Sequence, residues 1–253
     1  MAVVSTRALV LQSFPYSETS KVLRLYTGEY GIRSVIAKGA LRPKSRFGGV
    51  LEPFTEGTAQ FYLREGRDLH TLSGWDLVRS RQALGRNLNA FAGASLLAEI
   101  ALRAATEEAH PEVYTALAHS WDDITAAPGA AEAERVVLTG AWTLVSLLGF
   151  EPQMDACVAC GRPVTPDEAV RFDGAAGGVA CTRCRPVGRL LDPSTRADVV
   201  RMSRGHTPHD ALSRPGTHRA LLRAFLDAQL AHDRPFRSLE LFLEAAPPAE
   251  DPQ

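Results

Sequence analysis

Two segments near the N-terminus decide the fold: Thr19-Ser20-Lys21-Val22-Leu23-Arg24-Leu25-Tyr26-Thr27 and, three residues later, Gly31-Ile32-Arg33-Ser34-Val35-Ile36-Ala37-Lys38. Side chains in both segments alternate with a period of two, which is the period of a half-buried β-strand. The connection begins at Gly28 and ends at Gly31, and glycine is typical of hairpin turns. These segments therefore predict two strands joined as a hairpin.

Three further strands are expected on either side of this hairpin, at residues 5–12, 54–63 and 68–78. Five short strands within residues 5–78 predict a small closed or partly closed barrel. The OB-fold is the five-stranded barrel best known for binding oligonucleotides. An SH3-like barrel would give a similar pattern, so the strand count alone leaves both open.

The apolar period changes from that of strands to that of helices near residues 79–85. Helices are expected at residues 84–105, 111–126, 131–148, 193–204, 217–232 and 236–244. The predicted class is α+β multidomain: a barrel domain at 1–81, and a helical domain at 82–155 and 187–245 that is interrupted by a cysteine-rich insert at 156–186. The proline-rich and acidic tail at 246–253 is expected to be disordered.

Charge is distributed unevenly although the chain carries a net charge of only −1. Residues 1–81 contain 12 basic and 7 acidic side chains, whereas residues 82–156 contain 3 and 10. A cationic first third suggests contact with a polyanion, and the acidic middle would be repelled by one. No run approaches the roughly 18 apolar residues of a membrane span, and no signal peptide is recognisable, so we expect a cytoplasmic protein without membrane contact.

All four cysteines lie in two pairs, Cys157-x-x-Cys160 and Cys181-x-x-Cys184, which twenty residues separate. This spacing is typical of a zinc site in which two tight turns present four thiolates to one tetrahedral Zn²⁺. Four protein ligands close the coordination shell, so we expect one structural zinc ion on which residues 156–185 depend for their order. Free thiols, two disulfides or a redox pair are the alternatives, and a reducing cytosol disfavours disulfides.

A basic segment, residues 37–49, carries Lys38, Arg42, Lys44 and Arg46 without an acidic residue between them. All three lysines of the chain lie between positions 21 and 44. Glycines flank the cations, so backbone N–H groups could approach phosphates while the cations neutralise them and release counterions.

The predicted nucleic-acid contacts extend from this segment to two strands and two aromatic rings. Lys21, Arg24 and Arg33 lie on strands that form the binding face of an OB-fold, and Tyr16 and Phe47 could stack on bases, as could Phe14 and Tyr26. The candidate set is thus Lys21, Arg24, Arg33, Lys38, Arg42, Lys44, Arg46, Tyr16 and Phe47. We expect sequence-independent binding that weakens steeply with salt. The alternative is a solvated basic loop beside ordinary core aromatics.

The sequence contains no recognisable catalytic motif. A phosphate-binding G-x-x-x-x-G-K-[ST] loop, a G-x-S-x-G elbow and an H-E-x-x-H helix are all absent. His206 and His209 lie in a turn rich in glycine and proline and are interpreted as solvent-exposed. We therefore expect a protein that is not an enzyme. A zinc-containing nucleic-acid-modifying enzyme and a protein-interaction scaffold that binds an acidic partner are the alternatives.

Several motifs together resemble the RecO family of bacterial recombination mediators, across nearly the whole chain. They are Val10-Leu11, the run Pro15-Tyr16-Ser17-Glu18-Thr19-Ser20, Leu25-Tyr26-Thr27 with Tyr30-Gly31, Ala37-Lys38-Gly39 with Pro43-Lys44-Ser45-Arg46-Phe47, and Leu51-Glu52-Pro53-Phe54. The resemblance implies an N-terminal OB-fold, a helical domain and, in many members, a zinc finger inserted in that domain.

The resemblance also implies a function and partners. Members of the family bind single- and double-stranded DNA, anneal complementary strands and work with RecR and the single-strand-binding protein SSB to help RecA load, so a nucleoid-associated protein is expected. The acidic residues between 99 and 155 depart from this pattern, and we assign them to protein contacts or solvent. The acidic and apolar SSB tail would need an apolar groove beside a cation. The apolar faces of the predicted helices could provide such a groove.

Overall fold

The computed structural model describes residues 2–64, 66–184, 188–231 and 234–248. The first 79 residues form five strands: β1 (Ala2–Pro15), β2 (Lys21–Thr27), β3 (Gly31–Ala37), β4 (Glu56–Leu63) and β5 (Leu69–Arg79). They close into a barrel in the order β1-β2-β3-β5-β4, in which only β3 and β5 run parallel. The predicted OB-fold barrel is confirmed.

Strand β1 is longer than residues 5–12 because it pairs with two neighbours. Its first half, from Ala2 to Leu9, pairs with β4, and its second half, from Ala8 to Pro15, pairs with β2. An irregularity between Val10 and Gln12 interrupts the register. Such a bulge bends a strand and lets one strand serve two sides of a barrel.

The helical domain begins with a single 3-10 turn at Gln82–Arg86. In the part of the chain that the structure describes, six helices follow: α1 (Leu88–Ala104), α2 (Pro111–Ala126), α3 (Ala130–Leu147), α4 (Pro193–Ser203), α5 (Pro215–Gln229) and α6 (Arg237–Ala245). Their apolar faces surround the fully buried Trp121 and Trp142. Helix α4 begins as the sequence predicts, because the carboxylate of Asp192 accepts a hydrogen bond from the Thr195 N–H at 2.9 Å and Pro193 occupies the first turn.

The cysteine-rich region contains a small sheet that the sequence analysis missed. Strands β6 (Val170–Asp173), β7 (Gly178–Cys181) and β8 (Arg189–Leu191) pair in the order β7-β6-β8. Phe172 on β6 packs edge-on against Trp142 and also contacts Phe225. Apolar side chains of all three strands belong to the core of the helical domain. Residues 185 and 186 of the predicted insert lie outside the described residues.

The predicted disordered tail also needs correction over its first part. Ala246 caps α6, and the Pro247 carbonyl accepts a hydrogen bond from Arg219 at 2.8 Å. Residues 249–253, the rest of that predicted tail, lie outside the described residues.

The barrel and the helices are joined by an ionic network centred on Arg81. The Arg81 side chain is only 1% exposed and contacts Asp122 of α2 at 2.6 Å and Glu56 of β4 at 3.0 Å. It also donates hydrogen bonds to the carbonyls of Phe54 and Ala118. The guanidinium thus links groups from both domains and keeps its donors satisfied although it is buried.

Both carboxylates of the network remain ionised because of these partners. Burial would raise the pKa of Glu56, but hydrogen bonds from Arg7 and Arg81 outweigh burial and hold its pKa below the ordinary value. The same balance holds for Asp122, where Arg81 and Arg79 overcome burial and lower the pKa. Each buried charge in the junction therefore depends on the arginines.

We predict that Arg81→Ala lowers the free energy of unfolding by about 3–5 kcal/mol, because it leaves buried carboxylates without their partner. Urea unfolding followed by circular dichroism measures the change. Arg42→Ala removes an exposed arginine from the barrel and is the control, with an expected effect within about 0.5 kcal/mol. Equal stability of the two variants would contradict the assigned role of Arg81.

Candidate nucleic-acid interface and metal centre

The basic segment closes one end of the barrel. It follows β3 in a series of turns, and Gly39, Gly48 and Gly49 adopt positive φ angles of 76°, 57° and 75°. A hydrogen bond of 3.0 Å from the Leu41 N–H to the Thr19 carbonyl ties the segment to the β1–β2 turn. The Phe47 side chain packs in the barrel core and thereby holds the basic segment against the barrel.

The four cations of this segment are exposed, although Arg46 also donates a hydrogen bond to the Leu72 carbonyl at 3.4 Å. Lys38, Arg42, Lys44 and Arg46 are all exposed, and none forms an ion pair with a carboxylate in the part of the chain that the structure describes. Arg46 lies over the Phe47 ring, with 4.9 Å from its guanidinium carbon to the ring centroid. Four positive charges are thus available on one rim of the barrel.

Two aromatic side chains lie beside this rim. Tyr16 in the β1–β2 turn is 63% exposed, and Phe14 at the end of β1 is 44% exposed. The structure brings Tyr16 close to the cations because its turn is hydrogen-bonded to the basic segment. These rings are therefore placed to stack on bases whose phosphates contact the segment.

Three other predicted contact residues have structural partners. Lys21 pairs with Glu52 at 2.5 Å, and Arg33 pairs with Glu107 at 3.0 Å at the opposite end of β3 from the basic segment. Phe47 is 3% exposed, so its ring belongs to the core and is not accessible to a base. Lys21 and Arg33 were predicted from their charge and their positions on strands of the barrel, whereas the acids that neutralise them come from elsewhere in the chain.

The outer face of β2 and β3 is partly covered by the helical domain. Tyr26 and Ile32 on that face pack in the helical core, and the Ile32 N–H donates to the Thr106 carbonyl at 3.0 Å. Gly31 approaches the α1–α2 connection so closely that a Cβ would lie 2.3 Å from the Glu108 oxygen. The prediction that Tyr26 could stack on bases is therefore wrong, because its side chain is fully buried. Arg24 remains partly exposed beside α1.

The four cysteine Sγ atoms all lie within 4.8 Å of one another. Gly161, with a φ of 71°, forms the turn after the first pair, and its N–H donates to the Cys157 carbonyl at 2.8 Å. The second pair stands at the end of β7, where Cys184 closes a turn on the Cys181 carbonyl. Four thiolates about 2.3 Å from one ion would be compatible with this cluster, so the residues fit a tetrahedral metal ion.

The local backbone favours the thiolate form that a metal requires. The Cys181 N–H donates to Cys157 Sγ at 3.3 Å and lowers the pKa of that thiol to about 6. Cys157 and Cys181 are buried, whereas Cys160 and Cys184 are exposed. None of the four forms a disulfide. The site thus lies at the edge of the helical core, open to solvent on one side.

Comparison with known proteins agrees with this architecture. The family described as Recombination protein O N terminal matches residues 1–81, and Recombination protein O C terminal matches residues 85–240. The chain belongs to the RecO family of DNA repair proteins. The resemblance inferred from the sequence motifs is confirmed.

Curated relatives carry the same family name. The DNA repair protein RecO of Anaeromyxobacter sp. (strain K) is 36% identical over 206 residues, which are 80% of each chain. That of Anaeromyxobacter dehalogenans (strain 2CP-C) is 35% identical over 236 residues, 90% of this chain and 91% of the relative. That of Rubrobacter xylanophilus is 31% identical over 237 residues, covering 92% and 93%.

The acidic middle of the chain is largely used within the protein. Asp122 binds Arg79 and Arg81, Glu99 binds Arg103, and Glu107 binds Arg33. These pairs agree with an assignment to contacts inside this chain. None of the helices in the described ranges is both long and apolar enough to span a bilayer.

We predict that alanine substitution of the two aromatic residues in the predicted set changes the free energy of unfolding by very different amounts. Phe47→Ala should lower the free energy of unfolding by about 3–5 kcal/mol, because it empties part of the barrel core. Tyr16→Ala should leave stability within about 0.5 kcal/mol of the parent, because its ring is exposed. Thermal unfolding of both variants measures this difference, and a stable Phe47→Ala protein would contradict the assignment of Phe47 to the core.

Proposed function

We propose that this protein binds single- and double-stranded DNA through the exposed cations of its basic segment and anneals complementary strands without covalent chemistry. The observation that carries the proposal is the cluster Lys38, Arg42, Lys44 and Arg46, which is exposed and free of ion pairs within the described residues. A barrel that holds these charges on a core-anchored segment offers phosphates a largely preformed site.

The geometry favours binding that does not read sequence. Lysine and arginine on a loop neutralise phosphates, whereas base recognition in a duplex needs a helix or ribbon in the major groove. Neutralising phosphates also reduces the repulsion between two strands, and this effect supports annealing without ATP. On this proposal the protein is not an enzyme.

We predict that Arg42→Ala with Lys44→Ala weakens binding to a dT oligonucleotide and lowers the salt slope of log K against log[salt] by about 1.4, since each single-strand phosphate contact contributes about 0.7. Fluorescence anisotropy across a salt series measures affinity and slope. The control removes two half-exposed arginines of the helical domain, Arg201 and Arg223, which pair with carboxylates. The proposal fails if both double variants behave alike.

We further propose that the cysteine cluster holds one Zn²⁺ with a structural role. Cys157, Cys160, Cys181 and Cys184 supply the four soft ligands that zinc prefers, and no position is left for substrate or an activated water. Two of the ligands belong to buried positions of the helical domain, and the other two are exposed. The ion would join the two exposed turns to that core.

We predict that metal removal loosens the turns around Cys160 and Cys184 while the helical core stays folded, because Phe172 packs on Trp142 independently of the metal. Elemental analysis should give one zinc per chain, and hydrogen exchange after chelation should rise mainly in residues 157–161 and 181–184. Cys160→Ser should reproduce this result. Purified protein without zinc, prepared without chelators, would contradict the proposal.

The partners implied by the family complete the proposal. Together with RecR and SSB, the protein would help RecA load onto single-stranded DNA that SSB coats. This activity would take place in the cytoplasm, at the nucleoid. The acidic SSB tail is complementary to a cationic and apolar surface. A protein-interaction scaffold is the rival function, and strand annealing by the purified protein separates the two, because a scaffold would not anneal naked complementary strands.

A further inference from the structure

A groove runs between the barrel and the helical domain, next to the proposed DNA-binding rim. Two adjoining cavities of about 410 and 400 Å³ share the lining residues Gln12, Glu99 and Leu102. Each cavity has the volume of a typical small-molecule site. The groove exists only because the two domains are docked, since its walls come from β1 and β2 on one side and from α1, α6 and the residues Leu230 and Arg234 on the other.

Aromatic rings from both domains line the first cavity. Phe14 enters from β1 and Phe91 from α1, and they are 44% and 37% exposed. Phe54 lies at the floor and packs edge-on against Phe91, with ring centroids 5.7 Å apart. Phe54 is the one non-glycine residue with a positive φ in the described part of the chain, and hydrogen bonding of its N–H to the Val10 carbonyl at 2.8 Å holds it there. Such a backbone is strained, so the floor is held in a fixed shape.

The charge balance inside the groove favours an anion. Glu99 is fully engaged, because Arg103 binds one carboxylate oxygen at 2.6 Å and the Ser238 N–H binds the other at 2.8 Å. Arg24 and Arg237 have no acidic partner among the residues that the structure describes. The Nε of Arg24 is moreover shielded from solvent and has no hydrogen-bond partner within the described ranges. A buried donor without a partner costs free energy that a bound anion would recover.

We propose that this groove binds unpaired nucleotides of single-stranded nucleic acid, with bases against Phe14 and Phe91 and phosphates on Arg24 and Arg237. The inference rests on the proposed function and extends its binding track. Tyr16 lies two residues beyond Phe14, about 7 Å along the chain, so a strand that leaves the basic segment can pass over Tyr16 into the groove. Bases in a duplex are paired and stacked on one another, so they are not free to lie against Phe14 and Phe91, and on this proposal the groove distinguishes single strands from duplex.

Fluorescence anisotropy of the full chain with fluorescein-labelled dT oligonucleotides and with a blunt duplex tests the inference. Phe14→Ala with Phe91→Ala should weaken dT binding at least about fivefold and leave duplex binding unchanged. Arg237→Gln should reduce both the affinity for dT and its salt slope. The matched control is Val3→Ala with Leu88→Ala, which trims exposed apolar side chains from the same strand and helix outside the groove.

A second measurement uses the unaltered protein and does not depend on the folding of a variant. A dT oligonucleotide containing 4-thiothymidine should cross-link to peptides that contain Phe14 and Phe91, besides the basic segment. Cross-links at the basic segment alone, or equal dT affinity of the groove variant and its control, would overturn the groove inference and leave the proposed function intact. Absence of all DNA binding by the parent protein would overturn both. A groove that bound an acidic peptide, with dT affinity unaffected by the variants, would also overturn it.

Discussion

The Arg81 guanidinium, buried between Glu56 of the barrel and Asp122 of α2, fixes how the two domains meet. A buried arginine is tolerated only when its donors are satisfied, and here two carboxylates and two carbonyls satisfy them. Separation of the domains would break the ion pairs that Arg79 and Arg81 form with Asp122. The network therefore stabilises one relative arrangement of the domains, and every surface that both domains build depends on it.

This docked arrangement determines which parts of the barrel remain available. The helical domain covers the Tyr26 end of the β2–β3 face, where an isolated OB-fold would be open. The basic segment at the other end of β3 stays exposed and carries its four cations into solvent. Between the domains the same docking creates a groove with aromatic walls. On our proposals, the barrel presents nucleic acid with this rim and with a groove that continues from it.

The cysteine-rich region shows how a metal site can be combined with a hydrophobic core. Phe172 and the buried cysteines pack with the helices, while Cys160 and Cys184 face solvent. A metal ion would hold the outer turns to strands that the core already orders. The sheet is thus ordered by the hydrophobic core, and a metal ion would be needed only to order the two exposed turns.

Local pattern was enough to predict much of this protein. The alternation around Leu23 and Leu25 predicted the barrel strands, the helical pattern predicted that α4 begins at residue 193, and the cysteine spacing predicted a cluster of four thiols. These features depend on neighbours in the chain, so the sequence determines them directly. The basic segment could also be identified from the sequence, because its four cations lie close together in the chain with no acidic residue between them.

Only the tertiary structure decided which candidates remained accessible. Lys21 and Arg33 are paired with Glu52 and Glu107, and Phe47 is buried, because side chains distant in sequence meet in the fold. The sequence alone identified the residues that can carry charge or stack on bases. Burial and pairing depend on long-range contacts that no local pattern encodes, so the fold determined which of these residues reach solvent and which form the groove between the domains.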